Sequence, residues 1–65
     1  MRLATLIRRT EVAVRRLHWA KQQLMRLEAD APQRAKHVAA WRDAYAWLVE
    51  FRPSMRPHLE PPPEA

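Results

Sequence analysis

Two arginine doublets one heptad apart, Arg8-Arg9 and Arg15-Arg16, carry the most legible chemistry in this chain, and Arg2 continues one of their lines a heptad back. On a helix all five would lie on one side. A guanidinium is a planar, permanently charged fork that pairs bidentately with carboxylate or phosphate. Lys and Arg number twelve against seven Asp and Glu, a formal charge of +5, and ten of those cations are arginine. Residues 1–28 hold seven cations and two acids, Glu11 and Glu28. Three uses fit such a face: a solvated flank whose stems cover apolar surface, a contact for an acidic partner or a second subunit, or a contact for nucleic-acid phosphates. Against the last, the aromatic residues fall mainly after residue 40 and do not interleave with the arginines, so no base-stacking platform is evident.

The remaining reactive side chains make no catalytic set. The one serine, Ser54, has no histidine beside it, and Glu28, Asp30, Asp43 and Glu50 form no obvious pair in a cleft. Glycine is absent, which excludes a phosphate-cradling glycine loop. Cysteine is absent too, and His18, His37 and His58 show no ligand spacing, so neither disulfide nor metal is expected as a staple. The expectation is a non-enzyme without a cofactor or metal.

What positions the arginines is a run of helix formers. Leu3, Leu6, Thr10, Ala13, Leu17, Ala20, Leu24 and Leu27 recur at alternating steps of three and four, the seam of a helix packed lengthwise on another. Ile7 and Val14 widen it to the stripe of a bundle helix. With proline first at 32, a helix is predicted from about 2 to 29 and a second from about 32 to 51. Thr10 is expected to bond back to a carbonyl one turn earlier. Glu11 and Arg15 are spaced for a helical ion pair, and Asp30 could cap the second helix. So short a link forces an antiparallel hairpin.

In that hairpin Val38, Trp41, Tyr45 and Leu48 face the first seam, and Lys21 falls near Trp41, where a cation–π contact is expected. A second apolar line, Ala40, Ala44, Trp47 and Phe51, and the off-seam Val12 and Trp19 cannot be covered by the same partner helix. The first helix also overhangs the second, leaving Leu3, Leu6 and Ile7 to be covered by Met55 and Leu59 of the tail or by another subunit. From Arg52 onward the chain changes character: five of its six prolines, Pro53, Pro57 and Pro61-Pro62-Pro63, fall here and favour extended polyproline II. Residues 53–59 could be pinned, and 60–65 are expected to fray.

The fold class is therefore all-α: a hairpin over 1–52 and a Pro-rich tail over 53–65, assembling into a helical bundle. In similar length, a turn near residue 30 and heptads on both helices, it resembles the small helical-hairpin dimers typified by the RNA-binding protein Rop. That resemblance implies a four-helix-bundle dimer and RNA binding, while the tryptophans of the second helix and the proline tail depart from it. A chain this small is marginal alone and gains from a partner. The expected role is a protein–protein interaction module, such as an accessory subunit, adaptor or inhibitor of bacterial or phage type. It would bind itself as a homodimer, a larger protein, or both. Its interface would comprise Leu3, Leu6, Ile7, Val12, Trp19, Trp41, Tyr45, Trp47, Leu48 and Phe51, and Arg2, Arg8, Arg9, Arg15 and Arg16 would meet an anion or acidic partner. The alternative is a hairpin dimer bound to an RNA or DNA backbone. No segment is apolar for long enough to span a membrane, and the cytoplasm is the expected location.

Overall fold

The computed structural model describes residues 1–63. Its regular structure is helical: α1 spans Leu3–Arg26, α2 spans Arg34–Phe51, and a 3-10 helix spans Pro53–His58. The two long helices pack against each other as an antiparallel hairpin. At about 1.5 Å per residue, α1 runs almost the length of a rod measuring 41 × 19 × 14 Å.

The seam closes as its spacing predicts. Ala13, Leu17, Ala20 and Leu24 of α1 are buried with Val38, Ala40, Trp41, Ala44 and Leu48 of α2. Alanine supplies nearly half of that set, which lets two backbones approach closely while Trp41 and the leucines fill the volume. Thr10 Oγ1 donates to the Leu6 carbonyl at 2.7 Å, as expected for a polar residue on a helical seam.

The outer helix ends, Leu3 and Phe51, fall where predicted, but the two ends at the hairpin turn differ from the predicted 29 and 32. Leu27 is already extended, and α2 begins only at Arg34. The reversal uses two successive turns, closed by Ala31 N–H to Glu28 C=O and Arg34 N–H to Ala31 C=O. Pro32 disfavours helical backbone at Ala31, so good helix formers on either side of it are drawn into the turn. Asp30 makes no cap; Gln33 stands at the cap position without a side-chain bond. Nor do Glu11 and Arg15 close the ion pair their spacing allows: among the described residues the one such contact is Lys21 with Glu60.

The tail departs most from expectation. Pro53–His58 is 3-10 helix rather than extended chain. Proline's fixed φ near −65° suits both conformations, and the local bonds Met55 N–H to Arg52 C=O and Leu59 N–H to Arg56 C=O select the tighter one. Met55 and Leu59 pack half-buried on the core. Beyond them Glu60 is held rather than frayed: the Trp41 indole N–H donates to its carbonyl at 3.1 Å, and its carboxylate pairs with Lys21. Lys21 and Trp41 thus meet through Glu60 in place of the expected cation–π contact. Pro63 lines a hollow beside the Ala29–Pro32 turn. Residues 53–63 therefore form a strap running back along the hairpin towards its turn, and leave the N-terminal overhang uncovered. The last two positions of the tail lie outside the described residues.

Candidate docking groove

A hairpin of two helices has two long grooves, one on each flank of the contact. On α1, Thr10 accepts from the guanidinium of Arg52, the residue leading into the strap, at 3.2 Å, and Lys21 pairs with the strap's Glu60. Thr10 and Lys21 stand about three turns apart on one flank of the helix. Val12, Arg16 and Trp19 project from the opposite flank. On α2, Trp41 turns to the strap, while Ala44 and Trp47 turn to the other side. The strap fills one groove; the second stays open.

The open groove has a volume of about 910 Å³. Its floor is Ala13 and Ala44, both buried, between Val12 of α1 and Trp47 of α2. Ala4, Thr5, Ile7, Arg8, Arg9, Glu11 and Arg16 line it from α1, and Asp43 lines it from α2. Its width follows from the two alanines, which leave a trough between the larger side chains around them. Phe51 extends the apolar surface beyond Trp47, the two rings lying 5.0 Å apart and tilted by 32°. Towards the hairpin turn, Trp19 meets His37 edge-on at 5.0 Å. His37, Ala40, Ala44, Trp47 and Phe51 follow one another at steps of three and four, so the α2 residues Ala44 and Trp47 that line the groove belong to the second apolar line, which has a histidine at its head. His37 is buried, and among the described residues its Nδ1 has no hydrogen-bond partner.

The expected interface residues separate into three sets. Trp41 and Leu48 are internal, only 6 % and 0 % exposed, and Tyr45 packs half-buried against the same core; these three face the chain's own core rather than a partner. Val12, Trp19 and Phe51 remain accessible, at 55 %, 46 % and 41 % exposure, and Trp47 is half-buried at the groove. Leu3, at 71 %, and Ile7 are exposed at the overhang, with Leu6 half-buried. The arginines separate as well. All five are exposed, but only Arg8, Arg9 and Arg16 are among the residues lining the groove; Arg2 and Arg15 are not.

Sequence reasoning passed over Thr5, Ala13, Asp43 and Ala44. The alanines were visible as seam and second-line positions, but a trough arises from what is small between larger neighbours, and a hydrophobicity pattern registers what is large. Glu60 was missed because its role depends on the direction the tail takes.

Among the described residues no group of His, Cys, Asp and Glu could hold a metal ion, and no helix is long and apolar enough to cross a membrane. No protein-family model, no curated protein and no solved structure matches this chain.

Proposed function

We propose that the chain is a small non-enzymatic protein–protein interaction module, an accessory subunit, adaptor or inhibitor, that receives a helix of its partner in the open groove. One observation carries this reading: the strap covers one flank of the hairpin, while the other keeps an apolar trough rimmed by arginines that have no ion-pair partner among the described residues. An apolar surface rimmed by charge is the usual form of a docking site. The trough between two helices also has the shape a third helix fills when it completes a bundle.

Site-specific photo-crosslinking tests this directly. A photoreactive residue replacing Val12 should give a discrete protein adduct, while one replacing exposed Ser54, on the strap, should not. Equal adducts from both positions, or none from position 12, would remove the groove from the function. An adduct formed only with nucleic acid would transfer the reading to the backbone-binding alternative.

A further inference from the structure

We infer that the occupant of the groove is an amphipathic helix of another protein, with acidic residues at heptad spacing on the flank that lies over α1. The inference rests on the docking reading above and adds the chemistry of the partner. Arg9 and Arg16 are seven residues apart on the α1 wall, so they stand about 10 Å apart along the groove. A helix seated nearly parallel to α1 presents side chains seven apart at the same interval. Two carboxylates at i and i+7 therefore reach both guanidinium groups in one register. Among the described residues neither arginine has an ion-pair partner, so none of those contacts has to break.

The opposite wall has the opposite sign: Asp43 lines the groove from α2 and is exposed. The matching helix thus has acids on one flank, a base on the other and small or aliphatic residues between them, above Ala13 and Ala44. A second copy of this chain is a poorer occupant. In a two-fold dimer the same patch meets itself, and this patch offers Arg8, Arg9 and Arg16 against Glu11 and Asp43. Its arginines outnumber its acids, so a self-paired interface leaves a cation on each copy without a counter-charge, in a chain already carrying +5.

The test uses the full chain and two synthetic helices with the same leucine and alanine seam and the same lysine-bearing flank. On the remaining flank one peptide has glutamates at i and i+7, and its twin has lysines there. Binding is read by tryptophan emission, with the peptides free of tryptophan, and sedimentation velocity gives the stoichiometry. The glutamate peptide should bind one to one and roughly tenfold tighter than the lysine twin, a difference set by two rim ion pairs. Arg9→Glu with Arg16→Glu should reverse that order; both positions are exposed, and an unchanged melting curve verifies folding. If both peptides bind equally, and Val12→Glu abolishes both, the docking reading stands and the acidic partner falls. If neither binds while the chain alone sediments as a dimer that Val12→Glu dissociates, the occupant is a second copy and the inference fails. If neither binds and the chain is a monomer at all concentrations, the docking reading fails with it. Retention on RNA or DNA that disappears in the doubly substituted chain would also overturn the acidic-helix partner, in favour of a phosphate backbone.

Discussion

Trp41 and His37 sit one turn apart on α2, both buried and both bearing ring nitrogen, yet their circumstances differ. The Trp41 N–H reaches the Glu60 carbonyl, so its polar atom ties the strap to the core. Replacing it with phenylalanine loses that bond and some packing, and should lower the unfolding free energy by about 1–3 kcal/mol in chemical denaturation. His37 Nδ1 has no partner among the described residues, and a buried polar atom left unpaired costs stability. His37→Phe keeps a ring to meet Trp19 while removing the unpaired nitrogen, so the same measurement should return a change within about 1 kcal/mol of zero. A loss comparable to that at Trp41 would mean that the histidine nitrogen holds a hydrogen bond, to water for instance. Thr10 belongs to the first kind: one hydroxyl donates to Leu6 and accepts from Arg52, so a residue that interrupts the seam becomes the place where the strap departs.

At the scale of elements, the two long helices were legible because their signals are redundant. Glycine and proline are absent where helix forms, the seam repeats at steps of three and four, and Pro32 marks the break. The boundaries were less legible. Leu27, Glu28 and Ala29 are good helix formers, and what removes them from α1 is the geometry of reversing the chain, which local propensity does not contain. The strap was the least legible element, since a proline's φ is shared by polyproline II and 3-10 helix and the choice depends on bonds and on a core that form only in the folded chain. Its energetic weight can be measured. Deleting residues 53–65 removes the half-buried Met55 and Leu59 and the bond to Trp41, and should cost about 2–4 kcal/mol while leaving most of the helical circular dichroism. Lys21→Ala removes only the ion pair with Glu60. Both of its side chains are substantially exposed, at 36 % and 55 %, so that substitution should cost less than about 1 kcal/mol. A larger effect for Lys21 than for the deletion would show that the strap is held by charge rather than by burial.

For the whole molecule, the decisive asymmetry is that one groove is closed by the chain's own tail and the other is not. The surplus of apolar residues over what one helix partner can cover was visible in the sequence, as Val12, Trp19, Trp47 and Phe51. Which flank the tail would take was not, because that depends on where Glu60, Met55 and Leu59 find partners after a turn at Arg52. The consequence is thermodynamic. A domain of this size buries a modest fraction of its surface and lies close to its stability threshold, so an occupant of the open groove should raise its melting temperature measurably. With the glutamate-flanked helix at 100 times its Kd, linkage adds about 2.7 kcal/mol. At about 4–8 °C per kcal/mol for a chain this short, the expected shift is about 10–20 °C by scanning calorimetry. Val12 is more than half exposed, so Val12→Glu should leave the melting temperature of the free chain nearly unchanged and abolish the shift. If the shift persists in that variant, the helix is docking somewhere other than the groove, and the overhang around Leu3 and Ile7 becomes the next surface to substitute.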